Sequence, residues 1–186
     1  MSATPRTICS VLLTLSPWTD MAQSPRPRAA NDSQTVVFVC EHGTVKSVVA
    51  MAYFTQLAQE RHLRLRAISR GTNPDSRVPS LVQDGLRADG LTLGPFTPTQ
   101  FSPADLSSAI AVISFDQPSV AALVAGRLPT SAWDGMPAVS DDYGVARDAI
   151  RRRVTEFVDS LAKRQAGRAR APSSTRRVDG FLRPSR

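Results

Sequence analysis

Apolar and polar positions follow two different rhythms along the middle of the chain. Thr35 to Val39 read TVVFV, a β-branched run with no polar interruption, as a strand buried on both faces does. From Val45 to Gln59 the period lengthens, and Val48, Val49, Ala52, Tyr53 and Leu57 gather on one side of a helix. A second strand, Leu65 to Ser69, ends at Gly71. After the loop TNPDSRVP, Ser80 to Asp89 make an amphipathic helix stopped by Gly90. A Pro-containing segment (95–103) leads into the cleanest strand, Ala109 to Phe115. Pro118 to Ala125 are helical up to Gly126, and a short strand runs through Leu128 to Trp133. The last helix covers Asp142 to Arg164, where Tyr143, Ala146, Ile150, Val154, Phe157 and Leu161 recur at three- and four-residue spacing. Strands alternating with helices predict a three-layer, doubly wound α/β domain of about four parallel strands with helices on both faces.

Length and charge narrow this picture. The chain has 186 residues, enough for one domain with a real core. Its net charge of +7 would suggest a nucleic-acid partner if it were spread over the fold. Residues 166–186, however, hold six Arg and one Asp, while 35–165 are nearly neutral. The sequence therefore divides into 1–34, a signal segment or linker, 35–165, the folded domain, and 166–186, a basic disordered tail. Contact of that tail with anionic partners is one reading and plain solubilisation the other. The N-terminus also reads two ways. Arg6, the apolar run Ile8 to Leu15 and Ala22-Gln23 resemble an export signal, but Asp20 sits where cleavage wants a small residue. A start at Met21 would remove the run, and a cytoplasmic chain is favoured over an exported one. No stretch is long enough for a transmembrane helix.

Cysteine use excludes more. Cys9 and Cys40 are the two cysteines, and Cys9 precedes the fold, so no disulfide framework is available. His42 and His62 have no carboxylate at a zinc-like spacing. Neither a metal nor a cofactor is expected.

Chemistry concentrates after the first strand. Cys40 ends that strand, and a helix begins within seven residues, at the sheet edge where open α/β folds bind ligands. The first amides of that helix lack intrahelical partners, and the macrodipole adds positive potential. Gly43 permits a close turn and Lys46 adds a full charge. The segment Glu41, His42, Gly43, Thr44, Val45, Lys46 is therefore a candidate oxyanion cradle. The same field favours a thiolate at Cys40, the nucleophilic form of the residue. A nucleotide-binding P-loop is excluded because GTVKS lacks the second Gly and the required loop length.

VVFVCEHGTVKS resembles the signature of low-molecular-weight protein tyrosine phosphatases and the related arsenate reductases: a strand, Cys, five residues, Arg and Ser. The likeness continues through SRGT at 69–72, the helix Val78 to Leu91, Ser114-Phe115-Asp116 and Trp133-Asp134. The resemblance implies that Cys40 attacks phosphorus or arsenic, that the 41–46 amides hold the equatorial oxygens, and that Ser47 hydrogen-bonds the thiolate. It implies a phosphate-bearing small molecule or a phosphoprotein as partner.

The sequence departs from that family in three places. Lys46 replaces the Arg whose planar fork grips two oxygens. Arg70 is a candidate substitute guanidinium, against the plainer reading of a solvent-facing loop arginine. No Asp-Pro, the family's general acid, occurs after residue 116, which leaves Asp134 as the positional match and Asp141 and Asp142 as rivals. The further cysteines of thioredoxin-coupled reductases are missing. His42 resembles the Cys-x-His of the reductases, or else holds the loop's shape through backbone carbonyls. Trp133 reads as core. Three activities stay open: a phosphomonoesterase working through a Cys40 phosphoenzyme, a non-catalytic oxyanion- or phosphoprotein-binding module, and an arsenate reductase using a small thiol.

Overall fold

Nine elements follow one another along the computed structural model, which describes residues 34–170, with side chains through residue 168. In chain order they are β1 (Gln34–Cys40), α1 (Lys46–Glu60), β2 (Leu65–Gly71), α2 (Ser80–Ala88), a 3-10 turn (Pro103–Leu106), β3 (Ala109–Ser114), α3 (Pro118–Val124), β4 (Thr130–Ala132) and α4 (Tyr143–Arg170). All four strands are parallel, in the order β2-β1-β3-β4. The N-terminal segment, Cys9 and the residues from 171 onward lie outside the described residues.

β1 explains the layering. Val36, Val37, Phe38 and Val39 are all 0% exposed, so the unbroken apolar run serves two faces at once. Val36, Phe38 and Cys40 face a large core built with α1, α2 and α4. Val37 and Val39 face a smaller one that holds Val120 and Val124 of α3. Burial of each such side chain stabilises by about 1.5–3 kcal/mol. Phe38 sits at the centre of the larger core, with ring centroids 5.8 Å from Phe54, 6.5 Å from Phe115 and 6.1 Å from Trp133. Trp133, 5% exposed, is core rather than a surface platform.

The element boundaries shift for local reasons. α1 begins at Lys46 because Val45 has φ −120° and ψ −96°, outside the helical region. Its buried face is wider than one stripe, adding Ser47, Ala50, Phe54 and Ala58, because the helix packs on both the sheet and α4. The Pro-containing segment forms a 3-10 turn through the reciprocal cap of Ser102 and Asp105. α4 runs six residues past its expected end at Arg164, since Gln, Ala and Arg there are good helix formers and outweigh the single Gly167. Residues 166–170, which charge groups with the tail, are therefore helical.

Candidate active site

The two neighbours of β1 are β2 and β3, reached by connections that leave in opposite directions. Its C-terminal end is therefore the topological switch point, and Cys40 occupies it. Cys40 is buried, at 6% exposure. Ser47 Oγ lies 3.0 Å from Cys40 Sγ, and the Gly43 amide donates to the same sulfur at 3.2 Å. Among the described residues, the amides of Glu41, His42, Thr44, Val45 and Lys46 donate to no protein acceptor. No side chain caps the start of α1 either. A row of unpaired N–H groups at a helix N-terminus attracts anions.

The loop is held from behind by the end of β2. Thr72, Asn73 and Asp75 donate their amides to the carbonyls of Cys40, Glu41 and His42, at 3.1, 2.8 and 3.1 Å. Those carbonyls are thereby turned away from the sulfur. Gly43 adopts φ +66°, and a Cβ on it would lie 2.6 Å from Gly71 N. A Cβ on Gly71 would lie 2.8 Å from His42 C, so both positions exclude a side chain. Ser69 Oγ is 2.9 Å from the Gly43 carbonyl and 2.8 Å from Ser47 Oγ. Having one proton, it serves one acceptor at a time, and Ser47 keeps its own proton for the sulfur when Ser69 donates to it.

Above the sulfur opens a cleft of about 410 Å³. Its walls are largely apolar, from Val45, Leu81, Val82, Phe115, Ala138 and Val139, with Glu41, His42, Lys46 and Asp116 among them. Lys46 Nζ donates to Asp116 Oδ2 at 2.8 Å and to the Met136 carbonyl at 2.9 Å. Asp116 sits in a left-handed turn at φ 53° and accepts from the Gly135 amide at 2.8 Å. Burial alone would raise its pKa, but Lys46 and the Gly135 amide outweigh burial and hold it below the usual carboxylate range.

A family model described as low molecular weight phosphotyrosine protein phosphatase matches residues 35–128. The chain belongs to this family. Solved structures agree on the fold. YfkJ from Bacillus subtilis is 19% identical, with a TM-score of 0.63 over 70% of this chain and 96% of that one. A thioredoxin-dependent arsenate reductase from Corynebacterium glutamicum is 21% identical, with a TM-score of 0.61 over 70% of this chain and 63% of that one. The low molecular weight protein tyrosine phosphatase SP-PTP from Streptococcus pyogenes is 14% identical, with a TM-score of 0.59 over 69% and 93%. No curated protein matches the sequence.

Set against the phosphatase family pattern, the candidate residues separate. Cys40, Gly43, Lys46 and Ser47 come together around one loop, as does the backbone of Glu41, His42, Thr44 and Val45. Lys46 stands in the place of the family's Arg, yet its ammonium is turned to Asp116 and Met136. Arg70 neither enters the cleft nor faces solvent freely. Its Nε donates to Asp105 at 2.8 Å and its Nη1 to the Ser69 carbonyl at 2.9 Å. Asp134 does not line the cleft; its carboxylate accepts the Asp116 amide at 3.1 Å and braces that turn. Asp142 caps α4 through the Val145 amide at 3.0 Å, and Asp141 accepts from Ser140 at 3.2 Å.

His42 does not reach backbone carbonyls with its ring. Nδ1 lies 3.3 Å from Asp75 Oδ1 and Nε2 lies 3.8 Å from Glu41 Oε2. Asp75 also accepts from Thr44 Oγ1 at 2.8 Å. Asp75, Ser69 and Asp116 are site neighbours that the sequence did not single out. Position after a strand end was the available signal for Asp75 and Asp116, whereas Ser69 lies within β2. Among the described residues no His, Cys, Asp or Glu cluster could hold a metal ion, and no helix is long and apolar enough to cross a membrane.

Proposed function

We propose that the protein hydrolyses a phosphomonoester of the phosphotyrosine type through a covalent phosphoenzyme on Cys40. The observation carrying this reading is the ring of amides without protein acceptors around a sulfur held by Ser47 and Gly43. The thiolate attacks phosphorus, the S–P bond forms and the ester P–O bond breaks. The amides of residues 41–46 hold the equatorial oxygens, whose charge grows in the transition state. Ser47 donates to the sulfur, which supports the thiolate both before attack and as it leaves when water cleaves the S–P bond. Apolar walls from Leu81, Phe115 and Val139 suit an aromatic group beyond the phosphate, on a small molecule or a phosphoprotein. A burst assay with an aryl phosphate tests this. The expected result is a burst stoichiometric with protein and its loss in Cys40→Ser; unchanged turnover in Cys40→Ser would exclude the mechanism.

A second reading, a non-catalytic oxyanion- or phosphoprotein-binding module, is favoured by one observation. Lys46 is engaged by Asp116 and Met136, so the cradle has amides but no cation turned into it. On that reading phosphate protects Cys40 from iodoacetamide while no burst occurs.

A further inference from the structure

Hydrolysis of an unactivated phosphate ester needs a proton for the departing oxygen. The loop late in the chain does not present a carboxyl group to supply it. Residues 136–140 read Met-Pro-Ala-Val-Ser, and Ala138, Val139 and Ser140 face the cleft. Three ionisable groups other than Cys40 and Lys46 line it: Glu41, His42 and Asp116. Asp116 is a poor donor because Lys46 and the Gly135 amide hold it as the carboxylate. Glu41 is 62% exposed and meets His42 alone, at 3.8 Å, among the described residues.

His42 is fixed from two sides. Its carbonyl accepts the Asp75 amide at 3.1 Å, and its Nδ1 lies 3.3 Å from the Asp75 carboxylate. That carboxylate is held in turn by the hydroxyl of Thr44, a residue with 0% exposure. With Nδ1 turned to Asp75, the other ring nitrogen, Nε2, lies 3.8 Å from Glu41 Oε2, beyond hydrogen-bond distance, and is open to a ligand in the cleft that His42 lines. A carboxylate on one nitrogen sets both the tautomer and the aim of the other.

We propose that His42, aligned by Asp75, protonates the leaving oxygen in place of the family's aspartic acid. The inference rests on the phosphatase reading above. His42 enters as the imidazolium, with Nδ1–H toward Asp75. As the S–P bond forms and the P–O bond breaks, its Nε2 proton passes to the departing oxygen, which leaves as the alcohol, and the ring becomes neutral. Water then attacks phosphorus and gives its proton to Nε2. The S–P bond breaks, its electron pair returns to Cys40 as thiolate, and inorganic phosphate departs. His42 ends protonated, ready for the next turnover. Asp75 acts only through His42 and is a positioning residue.

Two esters test this on the full-length chain. The leaving group of p-nitrophenyl phosphate departs without a proton, whereas that of phenyl phosphate needs one. His42→Asn should lower kcat/KM for phenyl phosphate by about a hundredfold, and for p-nitrophenyl phosphate by no more than about threefold. Asp75→Asn should show the same selectivity, less strongly, and serves as the test if His42→Asn does not fold. Added imidazole should restore phenyl phosphate turnover in His42→Ala. Equal losses on the two esters would overturn the proposal, as would a selective loss in Glu41→Gln in place of His42→Asn. Failure of p-nitrophenyl phosphate to phosphorylate Cys40 in the unaltered protein would overturn the phosphatase reading itself, so the two failures are distinguishable.

Discussion

Gly43 and Gly71 let two backbone segments meet with no side chain between them, and that approach shapes the loop around the sulfur. Gly71→Ala would force its Cβ within 3 Å of His42 C, Glu41 O and Gly43 N, all backbone atoms with little room to move. We expect it to cost about 1–3 kcal/mol of stability by overpacking. It should also weaken the protection that phosphate gives Cys40 against iodoacetamide; full retention of both would mean the loop is not shaped by this contact. Lys46 is the other decisive residue. Its ammonium is a point charge already shared by two acceptors, whereas a guanidinium has five donors in a planar fork. Lys46→Arg should serve Asp116 and an oxyanion together and raise kcat/KM for an aryl phosphate about tenfold, roughly 1.4 kcal/mol in the transition state. That Cys40, Gly43 and Lys46 gather around one loop was legible in the sequence because they share one short run. The partners of Lys46 were not, since Asp116 lies 70 residues away and Met136 contributes a backbone carbonyl, which no residue type announces. Asp75 was hidden for the same reason, 31 residues from Thr44.

Among the elements, the Lys46–Asp116 pair ties the first turn of α1 to the turn after β3, and Gly135 extends the tie to the turn after β4. The Asp116 pKa is depressed in the folded protein, so its contribution is present above the unfolded value and lost as pH falls through the lower folded one. The unfolded value is about 3.9, which places the loss below about pH 4. Asp116 is 44% exposed, so solvent screening limits the effect to about 1 kcal/mol or less. Acid unfolding should therefore be less steep in Asp116→Asn than in the unaltered chain, as followed by circular dichroism; identical profiles would remove the pair from the stability account. Strand and helix types were legible from hydrophobic period because the helices and the first three strands each bury a face, whereas β4 buries no residue. Helix ends were less so: Val45 is apolar and follows the pattern, yet its backbone is not helical. Asp134 illustrates the limit for loops, where position in family order gives no side-chain direction. Its carboxylate closes on the Asp116 amide.

For the molecule as a whole, the doubly wound sheet was legible because β1 is apolar from Val36 to Val39 and every strand is followed by a helical period. The end of the fold was less legible, since charge and backbone propensity change at different points along α4. Buried positions of that helix stop at Val158, and residues 163–168 are exposed. Ending the chain after Arg164 should leave the Tm within a few degrees, because little apolar area is lost; a collapse would show that the C-terminal residues pack on the domain. The mechanism turns on the sulfur at the switch point. Its most direct test is rapid acid quench of the protein with an aryl phosphate, followed by peptide mass spectrometry. One phosphoryl group is expected on the peptide that carries Cys40, absent in Cys40→Ser. Steady release of the phenol with no phosphoryl group on Cys40 at any quench time would contradict it.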